Sequence, residues 1–321
     1  MGNLMKNILV TGANGYVGQE LINRLVHQNY NVFCITRSIP NKELKRYKNV
    51  KWYNFDLKNE DNIQELFLNQ KFDYVVHLAG LAHKKNNKNL TKEDFFEENE
   101  IVSKYLFETT KKYKVPIFFA STVEVYGLKN DEIVDECFST NPISYYAKSK
   151  LAAENILREI YKDELSKLYT IARFGMVYGK DIRKDLDKRI YLKHPKYMYK
   201  LSKNIYYHFV SINNILDFIL HSIENVEVVN GIYNLVDTDY ISANTLLKFE
   251  SLKNPENKII TIPKIIFTVS RKLLSNLKIL ESVSYSLKKI EDPPKYSNIK
   301  MLGVITPKWN FENTLYNKNS E

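Results

Sequence analysis

Cysteine is almost missing from this chain: 321 residues include two, Cys34 and Cys137, and neither has a CxxC neighbour. A disulfide framework and a cysteine zinc cluster are excluded, no metal site is expected, and a reducing compartment is the natural setting. Equally absent are any run of about 18 apolar residues and a signal-peptide pattern, so no membrane span and a cytoplasmic location are expected. No internal repeat, low-complexity linker or nucleic-acid module occurs. The formal net charge is +10, but the lysines are scattered, which reads as solvated surface and predicts no nucleic-acid partner. With 44% hydrophobic and 26% charged residues the chain has the balance of a globular protein that buries a core.

What is present alternates. The runs "NILVTG" (Asn7–Gly12), "NVFCITR" (Asn31–Arg37), "KWYNFDL" (Lys51–Leu57), "FDYVVHLAG" (Phe72–Gly80) and "VPIFFAST" (Val115–Thr122) read as strands, and a sixth begins in "LYTIARFGMVYG". Helical patterns separate them: Val17, Leu21, Ile22 and Leu25 share one face, and long amphipathic helices are predicted over Thr91–Lys114 and Ser144–Lys162. This alternation predicts an α/β fold, a doubly wound parallel sheet in residues 1–172 with a return segment near 205–225. Residues 173–321 are expected to form mainly a smaller C-terminal α/β substrate domain. Within them, "KDIRKDLDKRIYLKHPKYMYK" (Lys180–Lys200) is charged and aromatic with poor periodicity and reads as a partner-binding insertion.

"TGANGYVG" places Gly12, Gly15 and Gly18 between the first strand and first helix. There the first glycine permits the tight turn, the second lets backbone approach a pyrophosphate, and the third lets helix pack on strand, the Rossmann-like arrangement for a dinucleotide. After the second strand stands Arg37 where an NAD site carries an acid; an arginine pairs with a 2′-phosphate, which favours NADP over NAD. Asp56, after the third strand, is placed for the adenine amino group. Ala79 and Gly80 are small enough for backbone to lie against the cofactor, whereas His77 reads as a packed strand histidine.

Tyr146 and Lys150 share a helix face at i,i+4 spacing. An ammonium near a phenol is expected to lower the phenol's pKa, so that Tyr146 removes a hydroxyl proton while hydride leaves the same carbon. Tyr145 is the confounder, but Tyr146 alone of the two has lysine four residues on.

Taken in order, "TGANGYVG", "HLAG", "STVEVYG", "YYAKSK" and "ARFGMVYG" resemble the extended short-chain dehydrogenases/reductases, within them the NAD(P)-dependent nucleotide-sugar epimerase/dehydratase family. The resemblance runs from about Lys6 to "LGVITPKWNFENTL". It implies Tyr146, Lys150 and Thr122 as catalytic residues and Asn99 near the cofactor. Tyr16 and Val17 would offer backbone to the pyrophosphate, and Asn14, Leu57, Leu78 and Gly175 complete the implied cofactor set. The implied activity is hydride transfer at a sugar C4 on a nucleotide-diphosphate sugar, as epimerase or 4-keto reductase, in polysaccharide or O-antigen sugar synthesis. A homodimer through the helices carrying Asn99 and Tyr146 is also implied.

Departures from the family pattern narrow this. Related 4,6-dehydratases read Thr-Asp-Glu where this chain has Thr122-Val123-Glu124, so the proton donor for water loss is missing. That leaves dehydratase as the alternative, and beside it a non-catalytic NADP-sensing protein. Glu124 is expected to be solvent-exposed or capping. Met176 replaces a substrate-touching asparagine, and Asn213 and Asn214 replace two acids. His83, Glu124, Met176, Arg183 and Arg189 are the substrate candidates, the arginines with Lys184 and Lys188 as a diphosphate clamp. "IPKIIFTVSRKLLSNLKIL" (Ile262–Leu280) reads as a basic amphipathic helix, expected to pack within the smaller domain rather than lie on a membrane.

Overall fold

The computed structural model describes residues 5–39, 41–82, 90–128, 132–163, 168–192, 197–275 and 281–316. The first half alternates as its apolar pattern dictates. Strands β1 (Asn7–Thr11), β2 (Asn31–Thr36), β3 (Val50–Asn54), β4 (Tyr74–His77) and β5 (Ile117–Thr122) are separated by helices α1 (Tyr16–His27) and α2 (Glu60–Asn69) and a long helical segment. That segment is α3 (Lys92–Phe96), a π-helical turn at Glu97–Ile101, and α4 (Val102–Tyr113). After the two-residue β6 (Ile133–Val134) come α5 (Tyr145–Ile160) and β7 (Tyr169–Phe174).

The second half holds β8 (Met176–Tyr178), α6 (Lys184–Asp187), β9 (Tyr197–Leu201), β10 (Tyr206–Tyr207), β11 (Phe209–Ser211) and α7 (Ile212–Glu224). It continues with β12 (Gly231–Leu235), β13 (Ile241–Ser242), α8 (Ala243–Lys253), β14 (Lys258–Ile262), α9 (Lys264–Ser275), α10 (Glu281–Glu291) and β15 (Lys295–Tyr296). The Lys180–Lys200 segment thus contributes a single turn of helix and a strand, β9, which pairs with β14.

Seven strands form one parallel sheet in the order β12-β7-β5-β4-β1-β2-β3. Alternate strand residues point to opposite faces, and both faces are covered. Ile8, Val10, Val76 and Phe118 pack with Leu21 and Leu25 of α1 and with Ile215, Phe218 and Ile219 of α7. Leu9, Val75, Phe119 and Ile171 pack with Phe67 of α2, Phe107 of α4 and Leu157 of α5. The strand order departs in both directions from β1, so the switch point lies between β1 and β4, where a crevice opens at the strands' C-terminal ends. Edge strand β12 was not among the six strands expected: five residues opening on a glycine carry too little periodicity to be read. Helix α7 and strand β12 return the chain to this sheet, while β8 peels off β7 at Gly175 and pairs with β11.

Helix α9 packs against the smaller cluster and α10, by its polar side. Phe267 joins the smaller apolar cluster, and Thr268 and Arg271 bind Glu291 of α10. Its aliphatic face points the other way: Ile265, Ile266, Val269 and Leu273 are 73%, 56%, 51% and 64% exposed. The helix packs by its polar side because α10 offers it a carboxylate.

A buried ion pair ties α5 to β7. Arg173 Nη2 lies 2.6 Å from Glu154 Oε2, their side chains 3% and 1% exposed. Arg173 Nη1 also donates to Tyr126 Oη at 2.7 Å, which donates to Asn234 at 2.8 Å. Leaving one buried charge unmatched costs about 3–5 kcal/mol. Glu154→Gln is therefore expected to lower unfolding free energy by about that much, read by urea denaturation, and Glu154→Leu/Arg173→Met by less than the single change. A single variant within error of wild type would show the pair to be dispensable.

Candidate active site

The glycine turn sits at the sheet's switch point. Gly12 has φ +69°, and a Cβ there would come within 2.6 Å of the Ala79 nitrogen; one on Gly18 would lie 2.4 Å from the Gly12 carbonyl oxygen. Side chains at either place would push β1, β4 and α1 apart. Gly15 caps α1 with no side chain, and the first turn carries no acid, so its N–H groups and dipole face open space. Asn14 Nδ2 donates to Thr36, Ser38 and Ile39, while its Oδ1 is buried without a partner. A cradle that Cβ atoms would fill, an uncapped helix end and an orphaned buried acceptor fit a dinucleotide.

The remaining cofactor candidates lie along the same sheet edge. Leu78 and Ala79 follow β4, their backbone N–H groups donating to the Thr11 carbonyl and hydroxyl oxygens, each at 3.3 Å. Tyr16 is 65% exposed on the first turn of α1, and Val17 packs against the sheet. Leu57 is buried. Arg37 is not free: its guanidinium lies 2.8 Å from Glu98 and 3.5 Å from Asp56. Gly175 stands apart at the end of β7, where its Cβ would meet Val236 at 2.7 Å.

Ser144 caps α5 by accepting from the Ala147 N–H, and Ala147, Lys150, Glu154 and Leu157 form its buried face. A lysine on that face is brought against the sheet: Lys150 Nζ sits 4.1 Å from the Phe119 ring centroid and 3.5 Å from where a Gly80 Cβ would be. Tyr146, one turn earlier and half-buried, stands beside the Thr122 side chain at the end of β5. Tyr145 points outward, 49% exposed.

The electrostatics differ from the sequence expectation. Burial and the Glu124 carboxylate raise the Tyr146 pKa, with the nearby Thr122 hydroxyl opposing them. Burial lowers Lys150 to about 7 despite Glu154. Desolvation drives both groups toward their neutral forms, so the ammonium does not acidify the phenol in the protein alone.

A buried polar chain positions this pair. Thr11 Oγ1 donates to His77 Nδ1 (2.6 Å), His77 Nε2 to Ser103 Oγ (2.9 Å), and Ser103 Oγ to the Asn99 carbonyl (2.5 Å). Asn99 Nδ2 donates to Ser149 Oγ at 2.9 Å, and Ser149 Oγ to the Tyr146 carbonyl at 2.9 Å. Asn99, on the π turn, also exchanges hydrogen bonds with the Leu81 backbone. His77, lowered to about 3 by burial and then by the Lys150 charge, is a neutral link, as a packed histidine should be.

On the substrate side Glu124 is neither solvent-exposed nor only a cap. Lys289 of α10 donates to Glu124 Oε1 at 2.5 Å, and Ser144 to Oε2 at 3.4 Å. Val123, 5% exposed, packs with Val125 and Tyr296. Of the proposed clamp, Arg183 is held by Asp187 and Glu250, and Lys188 by Asp185. Arg189 is 6% exposed over the Tyr207 ring, donates to Met176 Sδ at 2.9 Å and leaves Nε unpartnered. His83 lies outside the described residues. Sequence reasoning missed Lys289, Ser103 and Ser149: Lys289 is 165 residues from Glu124 with no local motif, and the serines sit on helix faces as ordinary small polar residues.

No helix among the described residues is long and apolar enough to cross a membrane, and no metal-ligating cluster occurs among them. In comparison with known proteins, an Arabidopsis thaliana bifunctional UDP-glucose 4-epimerase and UDP-xylose 4-epimerase 3 is 32% identical over 174 residues, 50% of this chain and 48% of that protein. The chain thus spans about half the length of the curated relatives such as this one. The N-acetyl-alpha-D-glucosaminyl-diphospho-ditrans,octacis-undecaprenol 4-epimerase of Escherichia coli O157:H7 is 27% identical, covering 75% of this chain and 70% of its own. Among solved structures, UDP-glucuronic acid 4-epimerase from Bacillus cereus, in complex with NAD, superposes with TM-score 0.73 at 19% identity over 96% of each chain, a likeness of fold. The model of the NAD dependent epimerase/dehydratase family matches residues 8–235, most of the sheet and the whole Tyr146–Lys150 helix, and the chain belongs to that family.

Proposed function

We propose that the protein is an NAD(P)-dependent 4-epimerase acting on a sugar carried by a diphosphate. The observation that carries this reading is Tyr146 set between the Thr122 side chain and buried Lys150, at the switch point that also holds the glycine turn. A bound NAD(P) supplies the acceptor and donor of hydride at the sugar carbon. The protein's own part is the proton: Tyr146 Oη takes it from the C4 hydroxyl and returns it, Thr122 orients the hydroxyl, and Lys150 offsets the phenolate charge. A cationic cofactor ring would stabilise the phenolate that burial alone opposes. Relatives named as 4-epimerases of UDP-sugars and of a lipid-diphospho-sugar support the C4 chemistry and the diphosphate. Buried Arg189, without a carboxylate partner among the described residues, is the group best suited to that anion. The 4,6-dehydratase reading is disfavoured by Val123, apolar and packed inward where an acid is required. A cytoplasmic homodimer through the helical segment carrying Asn99 and through α5 completes the reading, supported by exposed Ile101 on the π turn and exposed Tyr145 on α5.

Tyr146→Phe is expected to lose activity by about 10²-fold or more on UDP-hexoses and UDP-N-acetylhexosamines followed by NMR, while cofactor titration is unchanged. Near-normal turnover in that variant would remove Tyr146 as the proton carrier. Net consumption of reduced cofactor would assign 4-keto reduction instead of epimerisation.

The finer cofactor reading is NADP, carried by Arg37 and opposed by the carboxylates of Glu98 and Asp56 that already bind it. Arg37→Ala is expected to weaken NADP about tenfold more than NAD in a direct titration; equal weakening would assign Arg37 to stacking on adenine.

Lys150 also sets a pH signature. Its pKa falls from 10.5 to about 7 on folding, so between those values the unfolded chain binds more protons and stability rises with pH. The Tm of wild type minus that of Lys150→Met should therefore climb from pH 7 to pH 10. A flat or falling difference would show that Lys150 is hydrated and charged there.

A further inference from the structure

Next to Asn99 on the π turn stands Glu98, which the proton chemistry above does not use. Its carboxylate bridges two cations that follow the sheet strands. Arg37, the residue after β2, lies 2.8 Å from it, and Lys58, in the turn after β3, lies 3.0 Å from it. The second carboxylate near Arg37 is a weaker partner. Asp56 is 3.5 Å away and its side chain is 42% exposed, against 19% for Glu98, so solvent screens it more. Asp56 also accepts from the Lys58 backbone N–H at 3.0 Å. Glu97 completes the group, 3.0 Å from Lys58. Two cations therefore face three carboxylates, and the cluster carries a net charge of −1.

We propose that Glu98 sets the margin between NADP and NAD at this site, by holding Arg37. The inference rests on the reading above, in which Arg37 faces the adenosine ribose. A ribose 2′-phosphate brings a charge of about −1.5 to −2 at pH 7. To pair with it the guanidinium must give up Glu98, and the carboxylate left behind then stands beside the incoming anion as a like charge. A 2′-hydroxyl brings no charge and donates readily to a carboxylate, the part an acid at the end of the second strand plays in NAD sites. Strand β2 ends without that acid. The π turn delivers one from 61 residues further on, to the same guanidinium. Without the Glu98 charge the cluster would hold two cations and two carboxylates, with Arg37 kept only by the longer Asp56 contact. Glu98 is thus a specificity-determining residue that tertiary structure, not the strand's own sequence, supplies.

Full-length protein freed of bound nucleotide is titrated calorimetrically with NADP and, separately, with NAD. Glu98→Gln is expected to raise the ratio of NADP to NAD affinity about tenfold, mainly by tightening NADP. Glu97→Gln, which removes an equal charge that touches Lys58 but not Arg37, should move the ratio less than about twofold. In an Arg37→Ala background the Glu98→Gln gain should vanish. An unmoved ratio in Glu98→Gln overturns the proposal, as does an equal gain in Glu97→Gln, which would assign the effect to the general field. A gain that persists without Arg37 overturns it too, and so does loss of both nucleotides in Glu98→Gln, since the carboxylate would then serve binding and not choice. Wild type that binds neither nucleotide removes the dinucleotide reading along with this one. Wild type that binds both with a ratio deaf to Glu98 removes this one alone. Binding is read without turnover, so the result is independent of the C4 chemistry.

Discussion

The buried polar chain from Thr11 to the Tyr146 carbonyl holds the rest of the site in register. Each link is a hydrogen bond between groups that have no water to turn to, so breaking one strands a donor or acceptor at about 1–3 kcal/mol. The chain starts on the strand that presents the glycine turn and ends on the helix that presents the phenol, passing through β4 and the π turn. Directionality is complete: Thr11 and Ser103 both donate onward, which assigns the His77 proton to Nε2. An extra residue in the helix at Glu97–Ile101 rotates Asn99 inward, a use of π turns common at functional sites.

Around this frame, burial pushes both reactive groups toward their uncharged forms. Lys150 lies against the Phe119 ring, and the carboxylate one helical turn on, Glu154, is taken by Arg173. Glu124, whose charge would keep the phenol protonated, is in turn held by Lys289. Proton affinity at Tyr146 is therefore the outcome of burial, one carboxylate and a distant lysine, and any cation entering the crevice acts against a small set of opposing terms.

The departures from the family pattern are repaired locally. Asn214 donates to Asp237 at 2.8 Å and to the Trp309 carbonyl at 2.7 Å, and Asn213 accepts from Arg24 at 2.7 Å. The acid that these asparagines displace reappears one turn on: Asp217 binds Arg24 and accepts from the Trp309 indole at 3.0 Å. Met176 gives Arg189 a thioether where an amide would have offered an oxygen, leaving that guanidinium with charge to spare.

Periodicity alone predicted six of the seven sheet strands, the long helices and the Gly12–Gly18 turn, because each is written within a dozen residues by alternation, helical spacing or a glycine triplet. Tyr146 and Lys150 were legible for the same reason, since i,i+4 spacing on a helix guarantees a shared face. Tertiary structure alone decided their protonation, because desolvation depends on what is packed above them. It alone brought Lys289 to Glu124, tied up Arg37 and Arg183 with carboxylates, left Arg189 without one among the described residues, and turned the aliphatic face of α9 outward. Those outcomes depend on which charges from distant segments meet, and no local spacing encodes that.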